Sequence, residues 1–122
     1  MLSVVVESAT REFAARLRAS QPIAANREAT AHLVADLEAQ RLLAKLQRQQ
    51  QALVTKQQTG QQVTEGEIAG LRAVQLEVKK SPVIMSYIRS QQEAQSFLSR
   101  VNMEISELLG FDFGGLAGAG GG

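Results

Sequence analysis

Residues 81–110 read SPVIMSYIRSQQEAQSFLSRVNMEISELLG, and this stretch decides the fold class. Ile84, Tyr87, Gln91, Ala94, Leu98, Val101, Ile105 and Leu108 alternate three and four positions apart, the period of a coiled-coil seam. Ser81 stands where a hydroxyl accepts from the first free amides of a helix. Pro82 takes the first helical position, where a missing N–H is harmless. Gly110 supplies the stop. The stretch predicts one long amphipathic helix, with Leu98 and Ile105 on a buried seam and Val101 and Leu108 beside them.

Upstream, Thr64-Glu65-Gly66-Glu67 fits a capping box, in which the Thr hydroxyl and the Glu carboxylate satisfy orphan amides reciprocally, with Val63 and Ile68 placed as a hydrophobic staple. A helix is expected from Glu65 to about Lys80, burying Leu71, Val74 and Val78. Lys79 and Lys80 in its last turn complement the helix dipole. The polar run 55–62, with Gly60 inside it, reads as a connection. Before it a helix from about Pro22 to Lys56 is expected, and its apolar stripe shifts along its length. Ile23, Thr30, Leu33, Val34 and Leu37 share one face; Leu42, Leu46 and Leu53 lie well round from it, reached through Ala31, Ala35 and Ala39. Such a helix serves either two sides of one intrachain bundle or its own subunit and a second copy. The first helix, from about Ser3 to Ala19, carries Val6, Ala9, Phe13 and Leu17 on one face. The fold class is therefore all-α: an antiparallel bundle of about four helices, two of them long, that self-associates.

Composition agrees. Aromatics are 4% of 122 residues, with no Trp, which suits aliphatic helix packing better than a β-sandwich. Seven of the ten Gly lie from Gly110 onward, and Pro occurs twice, so 1–109 is almost free of breakers and reads as a single helical domain. Residues 110–122 read as a Phe-containing extension with a disordered Gly-rich tail. Phe111 and Phe113 either close the end of the bundle or form an exposed docking anchor. With Leu42, Leu46 and Leu53 they are the candidate interface residues. The Gln-rich run from Gln47 to Gln62 is polar and nearly uncharged, which lowers repulsion between chains.

A net charge of +1 gives no electrostatic case for direct nucleic-acid binding or for an anionic membrane surface. No run approaches the roughly 20 apolar residues of a membrane span, and the N-terminus lacks the pattern of a signal peptide. A cytoplasmic protein is expected. With no cysteine, thiolate metal sites and cysteine nucleophiles are excluded within the chain. Glu28, His32 and Asp36 form a one-turn row on the second helix, a spacing that can hold a divalent metal. The preferred reading is a solvated polar face. No phosphate-binding Gly loop or catalytic signature is present. No metal, no cofactor and no enzymatic activity are expected.

Several segments resemble the YlbF/YmcA family of small bacterial helical proteins: Asp36-Leu-Glu-Ala-Gln-Arg-Leu-Leu-Ala-Lys-Leu-Gln47, Gly60-Gln-Gln-Val-Thr-Glu-Gly-Glu-Ile68, Ser81-Pro-Val-Ile-Met-Ser-Tyr87 followed by Gln91, Val101-Asn-Met-Glu-Ile105, and Gly110-Phe-Asp-Phe113. Their order and spacing carry the resemblance across roughly residues 25 to 113. It implies an all-helical, self-associating fold and a regulatory rather than catalytic role. Some members of that family assemble with related small helical proteins into a complex that modulates an endoribonuclease, affecting competence, biofilm formation and sporulation. Certain members associate with iron–sulfur clusters through cysteines; a cluster held by this chain alone is excluded. The expected function is a regulatory adaptor acting by protein–protein contact. A helical holdase or structural spacer is the alternative.

Overall fold

The computed structural model describes residues 2–119. Six helices follow one another: α1 (Val4–Ala19), α2 (Gln21–Ala35), α3 (Leu37–Gln58), α4 (Glu65–Lys79), α5 (Pro82–Leu109) and α6 (Phe113–Ala119). No strand occurs among the described residues. The all-α expectation holds, with six helices in place of about four. The added two come from a break in the expected second helix and from a short helix at the C-terminus. Two compact units are formed. One gathers the chain up to Asn26 with the chain from Ser90 onward; the other is Arg27–Arg89.

The break falls at Asp36. Its backbone is extended (φ −93°, ψ 106°), and Oδ1 accepts from the Ala39 amide at 2.9 Å. The Gln40 side-chain amide donates to the Leu33 carbonyl at 2.8 Å, satisfying an acceptor freed at the end of α2. This explains the shift of the apolar stripe. Two helices meet at a cap, and Leu33 of α2 and Ala39 of α3 reach one core together with Val74, Val78 and Ile84. The shift therefore marks a change of direction in the chain and does not require a second partner. Val34 and Leu37, expected on the buried face, are exposed instead, Leu37 at 77%.

Helices α3 and α4 pack as an antiparallel hairpin. Lys56 near the end of α3 meets Glu67 at the start of α4, while Glu38, Arg41 and Lys45 share a surface cleft with Glu77. The turn is a Schellman motif: the Gln61 amide donates to the Lys56 carbonyl at 2.9 Å and the Gly60 amide to that of Gln57 at 3.4 Å. Gly60 has φ +74°, a left-handed conformation that glycine adopts without Cβ strain. The capping box forms as the sequence predicts, Thr64 Oγ1 accepting from the Glu67 amide at 3.1 Å and Glu67 Oε1 from the Thr64 amide at 3.2 Å.

The core of the second unit is aliphatic. Val74 and Ile84 are almost completely buried, Ile84 at 1% exposure; full burial of such side chains is worth about 1.5–3 kcal/mol each. Leu42, Leu43, Leu46, Val83 and Tyr87 pack round them. In the first unit Ala94 and Ser90 are buried. The Asn26 side-chain amide donates to Ser90 Oγ and to Gln91 Oε1, each at 3.1 Å. That pair of bonds accounts for a Gln in an otherwise apolar seam.

Candidate functional site

The seam of α5 is not covered along its whole length. Ile84 and Ala94 are buried, but Leu98 is 44% exposed and Leu108 88%. The expected burial of Leu98 and Leu108 is thus corrected: beyond Ala94 the apolar face is covered only in part, with Phe97, Val101 and Ile105 half-buried. Helix α1 is the counterpart in the same unit. It has no buried residue, and Val4, Val5, Val6 and Phe13 are all exposed. Ser3 Oγ caps it by accepting from the Val6 amide at 3.2 Å. Two ion pairs at i, i+4 brace it, Glu7–Arg11 at 2.6 Å and Glu12–Arg16 at 3.3 Å. Exposed pairs of this kind are worth about 0.3–0.5 kcal/mol each. With 16 residues α1 is barely longer than the about 12–15 below which a helix is marginal alone in water, and most helical stability in proteins comes from packing an apolar face. An amphipathic helix whose apolar face is half-buried only at Leu17 is therefore a surface suited to contact. Phe13 of α1 and Phe97, Val101, Ile105 and Leu108 of α5 line an open groove.

The C-terminal segment adds to this surface. Gly110 ends α5 with φ +82°. The Phe113 amide donates to Ser106 Oγ at 2.9 Å, turning the chain back. Asp112 Oδ1 accepts from the Gly115 amide at 3.2 Å and caps α6. Residues 114–119 of the Gly-rich tail, expected to be disordered, are helical here; residues 120–122 of that expectation lie outside the described residues. Gly114 approaches α5 so closely that a Cβ would sit 2.7 Å from Asn102 Oδ1. Phe111 and Phe113 remain exposed, at 50% and 41%.

The other candidate interface residues sit differently. Leu42 and Leu46 are half-buried against the core of the second unit. Leu53 is half-buried beside Gly66 and Gly70 of α4. The row Glu28, His32, Asp36 does not assemble: Glu28 and His32 are exposed on α2, whereas Asp36 has left the helix and spends its carboxylate on capping α3. Among the described residues no group of three or more His, Cys, Asp or Glu is placed to hold a metal, and no helix is long and apolar enough to cross a membrane. Sequence reasoning missed the groove between α1 and α5 and its two charged neighbours, Arg100 and Glu104. The available signal was that Phe13 belongs to the apolar face of α1 and that the seam of α5 is the longest apolar row in the chain.

Comparison with known proteins places this all-helical chain. Residues 6–109 match the family described as control of competence regulator ComK, YlbF/YmcA. The chain belongs to the YlbF/YmcA family. A relative, a UPF0342 protein of Limosilactobacillus fermentum, is 29% identical over 103 residues, spanning 84% of this chain and 86% of that one. Among solved structures, Bacillus subtilis RicA, determined in complex with RicF, superposes with a TM-score of 0.76 at 21% identity, covering 89% of this chain and 96% of RicA. At that identity the likeness establishes the fold. The YlbF/YmcA match begins within α1 and ends at the last residue of α5, so both helices that line the groove belong to the family's common frame.

Proposed function

We propose that this chain is a non-catalytic regulatory adaptor of the cytoplasm that acts through protein–protein contacts and self-associates. Membership of the YlbF/YmcA family over residues 6–109 carries this reading. The exposed apolar faces of α1 and of the C-terminal half of α5 support it physically, because contiguous exposed apolar surface of this kind marks interaction sites. RicA was crystallised with RicF, and a protein partner suits the α1–α5 face of this chain as well. The process we assign is the modulation of an endoribonuclease in RNA turnover, reached by contact with that enzyme or through a related helical protein, with no direct hold on nucleic acid and none on a membrane. Of the contact candidates Phe111 and Phe113 offer most surface; Leu53 is half-buried against α4, and Leu42 and Leu46 contribute mainly to the core they already touch.

Affinity purification of the full chain from its native host, with partners quantified by mass spectrometry, tests this. The expected result is one or two stoichiometric partners, an endoribonuclease or a related small helical protein among them. Recovery of many substoichiometric clients would overturn the adaptor reading in favour of a holdase.

A further inference from the structure

The second unit carries a row of cations that its own stretch of chain does not neutralise. Residues 39–64 contain no Asp or Glu, in a chain with twelve of them, and hold Arg41, Lys45, Arg48 and Lys56. Lys56 is taken by Glu67, and Arg41 makes one loose contact with Glu38 at 3.8 Å. Lys45 and Arg48 are exposed and take part in no ion pair among the described residues. Their spacing of i, i+4 and i+7 puts Arg41, Lys45 and Arg48 on one face of α3, over about 10 Å. Like charges at these spacings repel along a helix, so the row works against α3 and the chain does nothing to offset it. All three cations line one cleft, with Leu42 and Ala44 as its apolar part and Glu38 and Glu77 as its carboxylates.

We propose that this cleft docks a helix of a partner protein that presents acidic side chains, spaced three and four apart, to Arg41, Lys45 and Arg48. This names the class of partner for the adaptor reading and rests on that reading. Charge complementarity selects the acidic face, since opposed patches steer encounter and fix register. The spacing selects a helix, because carboxylates at i, i+4 and i+7 of a partner helix cover the same length of about 10 Å as the cations. The carboxylates of the cleft select a protein over a nucleic acid. A phosphate backbone is negative at every step and would meet Glu38 and Glu77 as well as the cations. A protein helix can set a Lys or Arg against those two. Leu42 and Ala44 offer apolar surface to the stems of its side chains, which a phosphate backbone would leave unused.

The test uses the full chain and synthetic peptides, read by fluorescence anisotropy. The probe is an Ala- and Gln-based helix, stapled on its far face, with Glu at three positions i, i+4 and i+7. Control peptides carry Lys or Gln there, and a single-stranded oligouridine RNA is measured beside them. The wild type should bind the Glu peptide, bind the Lys and Gln peptides ~tenfold more weakly or worse, and lose the Glu peptide as salt rises. Lys45→Glu combined with Arg48→Glu should weaken the Glu peptide by ~tenfold or more and take up the Lys peptide instead. Arg72→Glu combined with Arg89→Glu makes the same change in net charge at exposed positions outside the cleft and should leave the preference for Glu as it was. An exchange of preference specific to one pair of positions is a result that misfolding does not produce. A wild type that does not distinguish the Glu from the Gln peptide would make the row a solvated face and overturn the proposal. Equal losses in the two double variants, or RNA bound more tightly than the Glu peptide, would overturn it too. Partners recovered from the host are a separate measurement, so failure here and failure of the adaptor reading are told apart.

Discussion

Lys56 and Glu67 face each other across the α3–α4 turn, the ammonium donating to Glu67 Oε1 at 2.5 Å. The same oxygen accepts from the Thr64 hydroxyl at 2.9 Å and from its amide at 3.2 Å. One carboxylate thus joins the end of one helix to the cap of the next. The Lys56 hydrogen bond above all, and then the Thr64 hydroxyl and amide, hold the Glu67 carboxyl below the usual glutamate range. A carboxyl with a depressed folded pKa binds fewer protons folded than unfolded. Its stabilisation is fully present above the ordinary glutamate range and is lost as pH falls through the lower folded value. Glu67→Gln should therefore be less stable than the wild type at neutral pH, and the gap should close on acidification into and below that range. Urea denaturation of both proteins across neutral to acidic pH checks this; a gap that does not change with pH would show that the ion pair contributes nothing.

Asp36 and His32, one turn apart in sequence, should behave differently. Asp36→Ala removes the acceptor that caps α3 and should cost about 0.5–2 kcal/mol. His32→Ala alters an exposed side chain and should stay within about 0.5 kcal/mol. Chemical denaturation of the two variants separates the cases, and equal effects would contradict the break at Asp36.

Ile84 and Leu98 occupy the same seam of α5 with opposite burial. Ile84→Ala should cost about 2–5 kcal/mol, the range for a large aliphatic deleted from a core, and do so at every protein concentration. Leu98→Ala, at 44% exposure, should cost less than about 1 kcal/mol in the monomer. Thermal melts of both over a wide concentration range give the comparison. A larger loss at Leu98 than at Ile84 would mean that the seam is buried where the structure exposes it.

How much of this the sequence revealed depends on how local each signal is. The capping box at Thr64–Glu67, Ser81 as the cap before Pro82 and the stop at Gly110 were legible because each is a few residues with its own chemistry. The break at Asp36 was not, because Ala35, Leu37, Glu38 and Ala39 are acceptable in a helix and neither Gly nor Pro interrupts them. Only the rotation of the apolar stripe hinted at it, and rotation alone fits a partner as well as a bend. The heptad period of α5 reported which face is apolar. It is silent on what covers that face, so Leu98 and Leu108 were expected inside. Helix α6 was hidden by composition: glycine argues against a helix, and what holds this one is the Asp112 cap and the close approach of Gly114 to Asn102.

Helix α1 has no fully buried residue and half-buries only Leu17, so its stability should depend in part on contact with another molecule. Its amide protection in hydrogen exchange should rise with protein concentration, as mass action requires of a segment ordered by association. The amides of α4 flanking Val74 and Val78, which belong to the core, should show no such dependence. Concentration-independent exchange in α1 would place its stabilisation inside the single chain.

Self-association through helical faces that one chain leaves uncovered is the centre of the account, and sedimentation equilibrium of the wild-type chain over a hundredfold range from low micromolar concentration tests it most directly. The account predicts a weight-average mass that climbs from the 13.2 kDa of one chain to a dimer or larger, following mass action. A single species of monomer mass at every concentration would contradict it.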